Sequence, residues 1–317
     1  MKKYTIFGIC AIALLLNVSC KKSDDSSSTS TPSLGGLSIN TVPAFLPKNT
    51  VLTFQADVSD IVASDGSEHT IGLYWQVNSS TKKDTTTRNI KIENPVFEYS
   101  VDTLGVYDVH CYAFTVDNTC YATSVVDSFQ AVDPEKVIQG YFGDPTSSKE
   151  VIAQDGKAWQ IFNVCDATHG LSFRDSPVLD YLAGRMYNQE EAKTVCPAGM
   201  HLPSIADFRS SFGQADGTIL SAEMMADITF AGDKMWEYWP KVQISNAKHF
   251  NAMPLGYIDL TDPFNTYNHY AEYACFWTKD EENGLGKFMY IYADDPEMRE
   301  GEGDKETLYM SVRCVRD

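Results

Sequence analysis

The chain has 317 residues, with 43 Asp and Glu against 25 Lys and Arg and a formal net charge of −18. An acidic body of this kind disfavours nucleic acid and anionic lipid surfaces as partners, because both carry charge of the same sign. The length suits two domains; of the eight cysteines, six (Cys111, Cys120, Cys165, Cys196, Cys275 and Cys314) lie beyond residue 20, an even number that reads first as disulfides if the chain is exported.

The chain starts MKKYTIFGICAIALLLNVSC. Two lysines precede an apolar run from Tyr4 to Leu16, short for a membrane span and proportioned as an export signal. Its last four residues, Asn-Val-Ser-Cys, resemble a bacterial lipobox, which implies loss of residues 1–19 and lipidation of Cys20. Residues 20–36 are rich in Ser, Thr, Gly and Pro and bury too little apolar area to order themselves, so they form a flexible tether. Within them Ser23-Asp24-Asp25 resembles the acidic signal that sends lipoproteins of Bacteroidetes-type bacteria to the outer cell face. The expected location is therefore the outer membrane, exposed on the cell surface, with the lipid as the sole membrane contact.

Residues 37–133 carry short runs of period two separated by turn residues, among them VLTFQADVS, IGLYWQV, PVFEYSV and VYDVHCYAF. Such runs without an intervening helix predict a β-sandwich. Trp75 sits where the core tryptophan of an immunoglobulin-like third strand sits. DTLGVYDVHC, Asp102 to Cys111, resembles the approach to the sixth strand, with Tyr107 as a corner tyrosine tied back to backbone. Together these resemble a polycystic-kidney-disease (PKD)-type domain, which implies a spacer. Cys111 and Cys120 could bridge within it; a hairpin turn at Asp117-Asn118 would instead set Cys111 opposite residue 124.

In residues 134–317 two short helices are legible. NQEEAKTVC has Asn188 as N-cap and Glu191 three residues on, and SIADFRSSFG has Ser204 as cap, Asp207 in the first turn and Gly213 as the stop. SAEMMADITF offers a third. Between the first two lies CPAGMHLPS, where Cys196 and His201 are compatible with half a metal site, a Cys–His catalytic pair or a pinned turn.

The blocks DGKAWQIFNV, GRMYNQEEAKTVCPAGMHLPSIADF, FNAMPLGYID, FWTKDE and SVRCVRD occur in that order. This set resembles the Fibrobacter succinogenes major paralogous domain, a family with a C-type-lectin-like fold. Met200 and FWTKDE depart from the family's usual Trp and Trp-Ser-Ser-Thr-like turn. The resemblance implies an α+β domain of long loops pinned to a small sheet, with a Cys196–Cys314 bridge tying its ends. Cys165 and Cys275 are then left to each other. CPAGMHLPS becomes a helix stop, a turn and a helix start, with His201 a half-buried turn residue whose ring bonds to backbone. Trp159 and Trp277 fall in the family blocks and read as core.

Catalytic chemistry finds little support. The six histidines form no His-x-x-x-His pair and there is no Cys-x-x-Cys, so no metal site is expected beyond a weak calcium candidate at Asp294, Asp295 and Glu297. No Gly-x-Ser-x-Gly elbow or phosphate loop is present. Of enzymes with this fold, the formylglycine-generating type uses paired reactive cysteines; here Cys275 and Cys314 each have a disulfide partner. The expected protein is thus non-catalytic and without cofactor.

Binding is the better fit. WEYWP brings together Trp236, Tyr238 and Trp239, and DPFNTYNHY brings Tyr267, His269 and Tyr270 beside Asn265 and Asn268. Aromatic faces flanked by planar polar groups suit sugar rings. The expected partner is an extracellular glycan, with a surface protein bound by an adhesin or structural subunit as the alternative.

Overall fold

The computed structural model describes residues 31–317 apart from 82–83, 91–94, 135–149, 232 and 237–241. Cys20, Tyr238 and Trp239 lie outside the described residues. The protein is mostly β, with short helices. It divides into two units, one of residues up to Val42 with Asn49–Phe129, the other of Pro43–Lys48 with Gln130–Asp317.

The first unit is built from alternation. Val51–Asp57 and Val96–Ser100 bury every second residue and pair antiparallel, with Ser38–Ile39 on the far side of Val51–Asp57. A second sheet has Ile71–Thr81 between Asp84–Ile90 and Gly105–Thr115, followed by the strand that starts at Thr123. Phe54 and Phe97 from the first sheet meet Trp75 from the second, with ring centroids 6.1 and 5.4 Å from the indole. Tyr107 stacks on Phe129 at 5.1 Å. All five rings are buried, and each contributes roughly 1.5–3 kcal/mol by leaving water. The Tyr107 hydroxyl donates to the Thr103 carbonyl at 2.8 Å.

Cys111 and Cys120 do not bridge; both are buried free thiols. The strand carrying Cys111 runs on to Thr115 and turns at Val116-Asp117, so Cys111 lies about 13 Å back along an extended chain from the turn. Cys120 instead packs with Leu34 and Ala63. A disulfide needs Cα atoms within about 7 Å.

The second unit is a mixed sheet with loops folded over both faces. In order across the sheet run Tyr267–Asn268, Tyr257–Asp259, Leu308–Ser311, Tyr273–Glu282, Leu285–Tyr292 and Arg299–Gly303, and Met186–Tyr187 also pairs with Leu308–Ser311. A smaller sheet joins Glu150–Ile152, Ala158–Gln160 and Val315–Arg316, so the chain's last strand closes on the unit's beginning. Phe45–Pro47 adds a short parallel pair with Gln130–Val132.

The helices begin where capping residues dictate. Asn188 with Glu191 and Ser204 with Asp207 each form a reciprocal capping box. The Ile205–Phe212 helix sends Phe208 and Phe212 against Trp159 and Phe250. It ends at Gly213, where a Cβ would stand 2.4 Å from the Arg209 carbonyl oxygen. Ser221–Met224 supplies the third helix that the sequence offers, and Pro177–Ala183, with its proline in the first turn, is a helix it did not single out. Trp159 and Trp277 are fully buried.

Cys196 is bonded to Cys314 across 118 residues, with Cα atoms 5.7 Å apart. Pro197 to Met200 turn through Gly199 at φ 83°. His201 is half-buried, but its backbone makes the connection expected of its ring, pairing in both directions with Val315 at 2.8 and 3.0 Å. Cys165 and Cys275 are free thiols, contrary to the expected bridge. Val164 turns inward and its N–H reaches the Val312 carbonyl. The next residue, Cys165, therefore faces solvent, while Cys275 is sealed mid-strand.

Two outcomes follow from these contacts. Replacing both Cys196 and Cys314 by Ser lowers stability by about 4–5 kcal/mol, the chain-entropy value for a loop this long, measurable by denaturant unfolding. For Asp207, burial opposes ionisation, but hydrogen bonds from Lys157 and Ser204 outweigh it and hold the carboxyl at about 2. Because this folded value lies below the unfolded one, the stabilisation is complete above about pH 4 and is lost as pH falls toward 2, by no more than about 2 kcal/mol. Asp207→Asn should flatten the acid limb of a stability–pH curve across that window.

Candidate functional site

The hairpin of Tyr273–Glu282 and Leu285–Tyr292 sets the site. Its register places Tyr273 opposite Tyr292, Cys275 opposite Tyr290 and Trp277 opposite Phe288. Strand side chains alternate between faces, so these six share one face while Ala274, Phe276, Met289 and Ile291 enter the core on the other. Trp277 is anchored by its Nε1–H, which donates to the Tyr187 carbonyl at 2.8 Å.

From that buried anchor a line of rings runs outward. Phe288 lies 5.7 Å from Trp277, Tyr290 6.0 Å from Phe288, and Tyr273 5.8 Å from Tyr290. Tyr273 stacks on Tyr292 at 4.8 Å and meets His269 at 4.8 Å, and His269 lies 5.7 Å from Tyr257. Tyr257, Tyr273, Tyr290 and Tyr292 are half-buried and His269 is exposed. Glu272 accepts from His269 Nδ1 at 2.9 Å and fixes the ring. Gly256 permits the approach of the neighbouring strand, since a Cβ there would stand 1.8 Å from the Asn268 carbonyl oxygen. Burial, with the nearby phenols of Tyr292 and Tyr290, pushes Tyr273 up to about 12, and burial raises Tyr257. Both hydroxyls are therefore neutral at physiological pH, able to donate and accept. The row presents flat apolar faces edged by neutral hydroxyls, which is chemistry for stacking and hydrogen bonding.

Of the aromatics singled out in the sequence, His269 stands in this row. Trp236 does not: it is 2% exposed and its Nε1–H donates to the Ala252 carbonyl. Tyr267 and Tyr270 turn to the other face, 5.1 and 5.9 Å from the buried Phe173 ring. The loop does expose an aromatic, but it is Phe264 at 93%, held at the tip by Asp262, which caps the Phe264 and Asn265 N–H groups. The alternation in KFMYIY, residues 287–292, was the available signal for Phe288, Tyr290 and Tyr292.

Two of the three calcium candidates, Asp295 and Glu297, are already engaged. Asp295 takes Arg299 at 3.0 Å and the Glu297 N–H, and Glu297 pairs with Arg299 at 2.8 Å. Among the described residues no group of three metal-ligating side chains converges. A cleft of about 420 Å³ on the opposite face of the Leu285–Tyr292 strand is lined by Arg209, Ile219, Met289, Met298 and Arg299. Its arginines are spent on Glu300, Asp295 and Glu297.

The profile described as the Fibrobacter succinogenes major domain matches residues 117–316. The chain belongs to this family. No curated protein matches the chain. The matched span includes the row, the Cys196–Cys314 bridge and both capping boxes, so this chain's major domain carries its candidate site on its central hairpin.

Burial pushes the Cys111 thiol up to about 12 and raises those of Cys275 and Cys165, but among the described residues Cys165 is the exposed free thiol. In a titration with a chromogenic disulfide reagent, Cys165 should react in the folded protein while Cys111, Cys120 and Cys275 wait for unfolding. Cys165→Ser should remove the fast phase; a fast phase that survives it would contradict this placement.

Proposed function

We propose that this is a non-catalytic, surface-exposed outer-membrane lipoprotein in which a PKD-type, immunoglobulin-like spacer carries a C-type-lectin-like domain that captures an extracellular glycan. The capture is non-covalent and uses Tyr257, His269, Tyr273, Tyr290 and Tyr292. The observation that carries the reading is the unbroken contact of these partly exposed rings, rooted in a buried tryptophan. Rigid rings lose little freedom on binding, and phenol hydroxyls replace the water that sugar hydroxyls give up. The sandwich core around Trp75 and the Tyr107–Thr103 hydrogen bond support the spacer assignment. The raised pKa values of Cys111 and Cys275 support capture over thiol catalysis.

A second reading rests on Phe264 and Leu260, exposed at 93% and 50% on one hairpin. An apolar tip of this kind suits insertion into a protein groove, as an adhesin would use.

Affinity electrophoresis of the purified protein through polysaccharide gels separates the two. Tyr273→Ala and Tyr292→Ala should each weaken retardation about 5- to 30-fold, as expected for a lost stacking contact of about 1–2 kcal/mol. Phe264→Ala should leave it unchanged. No retardation by any polysaccharide, or loss with Phe264→Ala alone, would favour the protein-binding reading.

A further inference from the structure

On the face of the Tyr257–Asn268 hairpin opposite the row, Ile258 and Tyr267 pair in register and pack into the apolar cluster around Phe173. Arg174 stands at its edge. Its backbone is left-handed, φ 52° and ψ 40°, a region costly for residues other than glycine, asparagine and aspartate. Such conformations persist where the surroundings impose them, and they gather at ligand sites. The guanidinium lies 5.8 Å from the Phe173 ring centroid, and the Tyr267 and Tyr270 rings lie 5.1 and 5.9 Å from that same ring.

Among the described arginines, Arg174 stands apart because its guanidinium has no hydrogen-bond acceptor. Six arginines have described side chains. Arg185, Arg209, Arg299 and Arg316 each pair with a carboxylate, and Arg313 spends its donors on Asn163 and two carbonyl oxygens. Among the described residues Arg174 has neither a carboxylate nor a carbonyl partner, in a chain with 43 acids. The Tyr270 hydroxyl beside it also has no acceptor among the described residues. Both residues keep partial solvent exposure. Burial lowers the Arg174 pKa and raises that of Tyr270, as expected of a cation and a phenol with no anion between them.

We propose that Arg174 and Tyr270 form a subsite for a carboxylate group. A guanidinium fork matches the two oxygens of a planar carboxylate, and the phenol adds a third donor. Phe173 and Tyr267 supply an apolar wall for the ring that bears the acid, so the ligand class is an acidic sugar residue of the uronic type. The sugar rests on the glycan reading above; the carboxylate does not.

Calorimetric titration of the purified full chain tests this with three probes: trigalacturonate, its methyl ester and acetate. The variants are Arg174→Asn, chosen because Asn tolerates the left-handed conformation, and Tyr270→Phe. Wild type should bind the acid at least tenfold more tightly than the ester. Arg174→Asn should erase that preference, Tyr270→Phe should reduce it several-fold, and Tyr273→Ala should weaken acid and ester alike. If neither oligosaccharide binds but acetate raises the melting temperature of wild type and not of Arg174→Asn, the carboxylate subsite stands and the glycan reading falls. Equal binding of acid and ester with no acetate effect, or a preference that survives both substitutions, overturns the subsite.

Discussion

Arg313 is a charged side chain with no exposed surface, and the second unit is arranged around it. Its Nε and Nη2 donate to Asn163 Oδ1 at 3.1 and 2.8 Å, and its Nη1 donates to the carbonyls of Gln160 and Phe250. The guanidinium lies 4.5 Å from the Phe250 ring centroid. Burial lowers its pKa to about 9, so it remains a cation at physiological pH. Removing a partner from a buried charge costs several kcal/mol, so such an ion fixes the groups around it more than it adds net stability. Here those groups come from stretches ninety residues apart, which hydrophobic packing alone would leave free to slide.

The neighbours of Arg313 extend the constraint. Asn163, while accepting from the arginine, donates to Ala183 and Ser311. Cys314 is bonded to Cys196, and Val315 pairs with the His201 backbone. Five consecutive residues thus hold the first strand pair, the turn between two helices and the central sheet. With Ser311 fixed against Phe276, the strand that carries Tyr273 has no freedom of register, and a one-residue slip would turn every ring of the row to the wrong face. The aromatic row is a consequence of the polar core beneath it.

The sequence made legible what depends on short-range chemistry. Both capping boxes follow from residues three apart, the stop at Gly213 from a single residue, and the turn at Gly199 from the Pro-Ala-Gly run. The family resemblance supplied Cys196–Cys314. What failed required knowing which way a side chain points. Cys165 and Cys275 were paired by elimination, yet Cys165 sits one residue beyond an inward valine and so faces out. Trp236, a sugar-stacking candidate with core packing as its alternative, is packed in the core, where its indole N–H is satisfied by the Ala252 carbonyl. The tyrosine row was half visible, since KFMYIY alternates. Its continuation through Tyr273, His269 and Tyr257 depends on cross-strand register, which no local pattern encodes.

Charge explains why the two candidate contact faces differ. With a net charge of −18, long-range attraction cannot draw an anionic ligand to this protein, and screening confines any local cation to within about a Debye length. A row of neutral phenols works under that constraint, because stacking and hydrogen bonding are indifferent to the sign of the surrounding field. Arg174 meets it differently, as one unpaired cation set in a partly desolvated aromatic wall, where a short contact with a carboxylate is screened least. On this reading recognition is decided at contact distance rather than during approach. Salt should therefore change the row's affinity little and the acid preference at Arg174 more.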